Sequence, residues 1–382
     1  MEDLARGRRE NNLSGDRMKF THALKMVAAV GTGAITVLAG MPAGATGGHG
    51  GGKPAVRTIT TKLSGPFGLD VMSSRTALVA ESESGEVTAV DLRTGRRTTL
   101  ISKVPGVAGV AATRGKIYSL IGGPNEEGAP PPSKYPPASV LVSDAKGKHV
   151  RVLADLMKYE LRRNPDRQKQ FDKSGKPYDA LSNPFSMVAT RWGLLIADGG
   201  ANDVLRVDPR TGRVSTFFVP PNPRTKACLA KGAQANPGTV GCDSVPTGIA
   251  VQGRHVYVST LGAEKAGAAA IYKLDGRSGK VLRKWSGFTS LTGVAVSPRG
   301  TIFASEVLFG APAGPPPAGF DPSKVGRLTR IDHGRVTRAA VTMPTGLEFT
   351  DGKLYATSWS IAGLLGIKDA GRLVQVHPHA FR

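Results

Sequence analysis

Cysteine is almost absent from the 382-residue chain, which has only Cys228 and Cys242. A disulfide-rich miniature scaffold is therefore excluded, and with no His in that segment a zinc site there would lack two ligands. Aromatic residues make up 6% of the chain, too few to build the stacking platforms of single-stranded nucleic-acid binders. Acidic residues are scarce beside basic ones, 29 against 51, for a net charge of +22. Long apolar runs are missing except for residues 26–40, which are Gly-containing and too short for a comfortable membrane span. No Gly-x-Ser-x-Gly elbow, P-loop, His-Glu-x-x-His or EF-hand loop occurs. In abundance are Gly (49) and Pro (27), beside 40% apolar residues. With no Gly-X-Y period this is not collagen, and with that much apolar surface it is not wholesale disorder. So many helix breakers speak against a helical bundle and for short, punctuated strands.

Residues 1–45 read as an export signal. Lys19 and Lys25 supply positive charge, 26–40 is uncharged and apolar, and Ala43-Gly44-Ala45 fits a small-x-small site with cleavage after Ala45. Met18 offers an alternative start. Arg8-Arg9 suggests a twin-arginine signal, although Glu10-Asn11-Asn12 follows where apolar residues would be needed. A retained signal anchor is the alternative to cleavage. Residues 46–55 form a Gly-rich linker. The expected location is secreted or extracytoplasmic, with no transmembrane segment in a mature chain of 45 basic and 25 acidic residues. In such an oxidising compartment Cys228 and Cys242, close together in one Pro/Gly-rich segment, are expected to pair as a disulfide; two free thiols are the alternative.

Self-comparison reveals six repeats. Each begins with a Pro-x-Gly-like step into a short apolar strand, at Pro66-Phe67-Gly68, Val107-Ala108-Gly109, Pro184-Phe185-Ser186, Pro246-Thr247-Gly248, Leu291-Thr292-Gly293 and Pro344-Thr345-Gly346. Second strands align at 77–81, 117–121, 194–198, 256–260, 302–306 and 354–358. Third strands follow, then Gly turns such as Asp91-Leu92-Arg93-Thr94-Gly95 and a fourth strand. Six four-stranded units of about forty residues are what an all-β, six-bladed β-propeller requires. The sixth unit lacks a fourth strand, and the spare strand at about 56–63 is expected to complete it, so that 56–382 is one propeller closed by its own two ends.

Several of these stretches carry a family resemblance. Ser182-Asn183-Pro184-Phe185, the run from Gly193 through Ala197-Asp198-Gly199-Gly200-Ala201-Asn202-Asp203 to Asp208, Val245-Pro246-Thr247-Gly248, Gly287-Phe288-Thr289-Ser290 and Ala304-Ser305-Glu306 together resemble the ScyD/ScyE family of secreted propellers. The likeness covers about 56–378 in the same blade order and is more remote to NHL, SMP-30 and strictosidine-synthase-like repeats. It implies a propeller fold and export, and no established reaction. Ser186 departs from the usual Gly, and Arg191-Trp192 from the usual Gly-rich hairpin.

Loop length distinguishes the two faces of the expected ring. Connections from strand two to three, and from blade to blade, carry every insertion: 122–137, 157–181, 220–245, 308–326 and 360–371. Both kinds open on one face, and long loops on a rigid scaffold are where ligands usually bind. Decoration without a ligand is the plain alternative. The opposite face carries basic hairpin turns such as Arg93, Arg210 and Arg277, suited to an anionic cell surface or merely solvated. His149 and His333 fall in outer turns, His255 on the short-loop face, and His377 and His379 at the tail, so a serine triad or His-based lyase has no base among the long loops.

The expected function is an exported binding scaffold for a small molecule, glycan or partner protein. A metal-assisted hydrolase or lactonase of the SMP-30 kind is the alternative. A channel mouth lined by Phe67, Phe185, Thr247, Thr292 and Thr345 alone favours binding; carboxylates converging there would favour the enzyme. Glu81, Asp198 and Glu306 share one repeat position and are expected to cap loop amides. Asp70 and Glu348 hold one position on the innermost strands of blades one and six, where the other blades have Ala111, Val188, Ala250 and Ala295. They are the candidate ligands for a cation such as calcium, against the plainer reading that each bonds backbone amides or an Arg. No cofactor is otherwise indicated, and nucleic acid is not an expected partner.

Overall fold

A computed structural model describes residues 54–124, 133–230, 236–312 and 314–382. The export signal, its cleavage after Ala45 and nearly all of the linker lie outside the described residues. The described residues form twenty-four strands in six antiparallel four-stranded sheets. After β1 (Val56–Leu63), blade one holds β2 (Pro66–Val71), β3 (Thr76–Glu81), β4 (Glu86–Asp91) and β5 (Arg97–Ile101). Blade two holds β6 (Val107–Thr113), β7 (Lys116–Ile121), β8 (Ser139–Asp144) and β9 (Arg151–Asp155). Blade three holds β10 (Pro184–Thr190), β11 (Gly193–Asp198), β12 (Asp203–Val207) and β13 (Val214–Phe218). Blade four holds β14 (Pro246–Gln252), β15 (His255–Thr260), β16 (Ala269–Asp275) and β17 (Val281–Phe288). Blade five holds β18 (Leu291–Val296), β19 (Ile302–Glu306), β20 (Arg327–Asp332) and β21 (Arg335–Ala339).

Blade six is β22 (Leu347–Thr350), β23 (Lys353–Ser358) and β24 (Gly371–Val376), with β1 as its outermost strand. β1 runs antiparallel to β24 from Val56 opposite Val376 to Leu63 opposite Gly371. The ring is closed by pairing its two ends, as the spare strand implied.

Burial follows position within a blade. Every residue of β11 is buried, whereas the outermost β17 is mostly exposed. Six apolar clusters fill the six gaps between neighbouring blades. Leu78 and Val87 meet Val110 and Leu141 between blades one and two, for example, and Leu63 and Tyr355 meet Val71 and Val79 between six and one. The core is thus a ring of blade interfaces rather than a single centre.

The Gly turns explain why the repeat is so regular. Asp91 Oδ1 accepts hydrogen bonds from the amides of Arg93 (3.0 Å) and Thr94 (2.8 Å), and Asp208 does the same for Arg210 (2.8 Å) and Thr211 (3.1 Å). The glycine ending each turn has a positive φ, +74° at Gly95 and +72° at Gly212, a conformation that glycine adopts freely. A Cβ there would also strike the outermost strand of the preceding blade, at the carbonyls of Ile59 and Leu153 respectively. The turn chemistry and the blade spacing are one constraint.

The insertion at 157–181 is not wholly loop. It opens with α1 (Leu156–Arg163), capped by Asp155 Oδ1 accepting from the Lys158 amide (2.8 Å) and closed by Asn164 in a left-handed conformation. The cap and the run Leu156-Met157-Lys158-Tyr159-Glu160-Leu161 are a helix signal that an all-strand repeat pattern passes over.

Candidate functional site

The innermost strands surround a channel lined by Phe67, Phe185, Thr292, Thr345 and the neighbouring glycines, with free space of about 40 Å³. That is room for a few waters and not for a sugar ring. Toward the long-loop face the channel is stopped by an apolar cluster. Phe67 and Phe185 are buried with ring centroids 4.6 Å apart, and Leu261, Val307, Val325, Met343 and Ile361 pack over them. The threonines are equally occupied. Thr247 Oγ1 donates to the Leu291 carbonyl (2.8 Å), Thr292 Oγ1 to the Pro344 carbonyl (3.0 Å) and Thr345 Oγ1 to the Phe67 carbonyl (2.9 Å). Each bond joins one blade to the next. In blade three Ser186, where the repeat would have Gly, donates its hydroxyl to the Thr247 carbonyl (2.5 Å). The other departure is similarly used: Trp192 packs against Gly276 of blade four, leaving no room for a Cβ there.

Asp70 and Glu348 occupy the inner strands of adjoining blades, as their repeat position required. Glu348 Oε2 accepts from the Val71 amide of blade one (2.6 Å), and Asp70 Oδ2 from the Ala112 amide of blade two (2.7 Å). Inner strands have no further strand on their channel side, so these carboxylates satisfy amides the sheet leaves free. Burial raises Asp70 to about 6, with the Ala112 amide opposing. Burial, and then the charge of Asp70, raise Glu348 to about 8, opposed by the Val71 amide.

A pH dependence follows. Both carboxyls hold protons in the folded chain that the unfolded chain releases above its ordinary carboxylate range. Their contribution to stability is therefore present in acid and lost as pH rises through about 6 to 8. Tm is expected to fall by about 5 °C between pH 5 and 8.5, and by clearly less in Asp70→Asn/Glu348→Gln, which keeps both acceptors and removes the charges. Parallel curves for the two proteins in EDTA-containing buffer would refute this.

Glu81, Asp198 and Glu306 each work locally. Glu81 accepts from the Ser64 amide (2.7 Å) and the Thr88 hydroxyl. Asp198 accepts from Ser182 Oγ (2.6 Å) and the amides of Asn183 (2.7 Å), Gly200 (3.2 Å) and Ala201 (3.1 Å). Glu306 accepts from Arg327 Nε (2.8 Å) and Nη2 (2.9 Å) with its two oxygens. Repeat comparison did not single out Glu160 on α1 or Asp203 at the start of β12, although both are buried. Burial, then the charges of Asp198 and Glu160, push Asp203 well above the usual carboxylate range. Burial, with neighbouring Asp198 and Asp166 adding to it against the Gln170 side chain, raises Glu160 to about 8. The available signal was the doubled Asp of Asp198-Gly199-Gly200-Ala201-Asn202-Asp203 across a tight turn.

Around this rim the long loops brace one another. Cys228 and Cys242 are bonded, with Cα atoms 5.0 Å apart, closing a loop of 14 residues' separation worth about 3 kcal/mol by chain entropy. Gln168 Nε2 donates to Asp243 (2.8 Å), and Asn202 joins Asp166 (3.1 Å) to the Val245 amide (3.1 Å). The hairpin turns of the opposite face leave Arg93, Arg210 and Arg277 exposed. Among the described residues no helix is long and apolar enough to cross a membrane.

No family model matches this sequence, and no curated protein matches it. Solved structures do. The chain is similar to a gluconolactonase from Xanthomonas campestris at 12% identity and TM-score 0.51, over 84% of this chain and 88% of the other. It is similar to a luciferin-regenerating enzyme at 11% identity and TM-score 0.52, over 86% and 97%. A putative glucose dehydrogenase from Thermus thermophilus matches at 17% identity and TM-score 0.50, over 84% and 98%. The shared feature is the six-bladed β-propeller. At such identities the likeness concerns the fold alone.

Proposed function

We propose that the chain is an exported propeller scaffold of the ScyD/ScyE type whose long-loop face binds a small molecule, a glycan or a partner protein. The observation that carries this reading is the segregation of every insertion to one face, where one loop is closed on itself by a disulfide and is tied to the 157–181 insertion through Gln168 and Asn202. Large apolar side chains stand exposed on the same loops, among them Val240, Phe309 and Leu364. The channel beneath that face is lined by Phe67, Phe185, Thr292, Thr345 and backbone rather than by carboxylates and is covered by apolar side chains, which favours binding among the loops over a metal-assisted hydrolase in the channel.

The test is retention on the extracellular polysaccharide and protein fraction of the producing cells. Wild type is compared with a long-loop variant, Phe309→Ser/Leu364→Ser, and a basic-face variant, Arg210→Glu/Arg277→Glu. A loss of at least about tenfold in the first alone supports the proposal. A salt-sensitive loss in the second alone would assign binding to the basic face instead, and undiminished retention in both would end the proposal.

A further inference from the structure

We infer that Glu160 and Asp203 form a buried site for a hard divalent cation, calcium by preference, which pins the α1 insertion to the turn between β11 and β12. Asp203 has no exposed surface, and neither carboxylate oxygen has a hydrogen-bond partner. Glu160 is 3% exposed; Gln170 Nε2 donates to its Oε1 (2.8 Å), while Oε2 is unpartnered. One helical turn on, the buried Oδ1 of Asn164 is likewise unpartnered, its Nδ2 being engaged with the Gln168 carbonyl (2.8 Å). Directly across the β11–β12 ladder from Asp203 stands Asp198, itself fully buried.

The orphans are all oxygen acceptors, and no Lys, Arg or His among the described residues pairs with Glu160, Asp198 or Asp203. Asp198 is provided for by its four donors; Asp203 is not. Leaving a buried carboxylate unpartnered is costly, and the deficit here is of positive charge. Carboxylate and amide oxygens without nitrogen or sulfur are the donor set of calcium rather than of zinc or copper. Two carboxylates with the Asn164 amide oxygen make a site distinct from a cluster of three or more His, Cys, Asp or Glu side chains placed to hold a metal, of which the described residues contain none.

Such an ion would have a definite structural effect. Asp166 lies close enough to raise both acids, and through Asn202 it is tied to Val245, three residues beyond the disulfide-closed loop. Loading the site would therefore stiffen the loop face around blades two, three and four. This inference is independent of whichever ligand that face binds.

The experiment uses the full purified chain, stripped with EDTA and titrated with calcium alone. At about a hundredfold saturation wild type should gain about 4 °C in Tm, and amides of 164–183 should exchange more slowly. Asp203→Asn should lose the calcium gain, yet in EDTA should unfold at or above the wild-type temperature, because a buried unpaired charge has been removed. Glu160→Gln should weaken the gain, and Glu348→Gln should keep it. No response of wild type to calcium, or a full response retained by Asp203→Asn, would overturn the site and leave protons as what neutralises these acids.

Discussion

A chain beginning at Ser64, without β1, is expected to unfold about 10 °C below the intact propeller or to be recovered only as aggregate. β1 contributes the outer ladder of blade six, and Leu63 at its end is fully buried between blades six and one. Losing a buried leucine costs about 2–5 kcal/mol. Losing the ladder also bares the edge of β24, an invitation to pair with another chain. A domain of this size loses about 1 °C or more per kcal/mol. Circular dichroism melts and size-exclusion chromatography of the two chains decide the matter, and equal melting of monomeric proteins would show that ring closure does not depend on β1.

Gly293→Ala should lower Tm by about 4 °C or more. A Cβ at Gly293 would stand 2.1 Å from the Thr345 carbonyl oxygen, a backbone atom of the next blade, and 2.9 Å from Ser305 Oγ. Ser305 Oγ is already shared, accepting from the Gly293 amide (2.7 Å) and donating to the Thr345 carbonyl (3.0 Å). Relief requires blades five and six to part, whereas overpacking absorbed by side chains alone costs about 1–3 kcal/mol. Gly109→Ala is the control. Its nearest contacts are the Leu120 side chain at 3.2 and 3.3 Å, which can yield, so its melting temperature should fall by less than half as much. Equal losses at the two sites would mean that the approach of backbone to backbone is not what demands glycine at Gly293.

Repeats made the fold legible. A propeller writes the same local chemistry six times, so Asp-turn-Gly segments, strand lengths and the missing sixth outer strand could all be read without coordinates. Asp70 and Glu348 were visible by the same logic, as exceptions at a position otherwise held by Ala or Val. What repetition conceals is whatever occurs once. α1 and Glu160 belong to an insertion with no counterpart in the other blades. Although the turn before Asp203 recurs in blade one, where Glu86 stands opposite Glu81, of the two only Asp203 is fully buried. Of the five residues expected at the mouth, Phe67, Phe185, Thr292 and Thr345 line the channel, while Thr247 is buried between blades four and five. The hydroxyl partners of the threonines, though, are carbonyls of the following blade, which no alignment of one repeat with another displays.

The pairing of β1 with β24 also settles how the molecule can be held. Val56 lies opposite Val376, and the His377 amide donates to the Ala55 carbonyl (2.9 Å). The third strand of a blade ends at the short-turn face, so the chain enters and leaves the ring side by side on that face. A tether at either end, whether a retained anchor or an added tag, would therefore grip the protein from behind its basic turns. The long loops would then point away from the attachment, oriented outward like the open side of a dish.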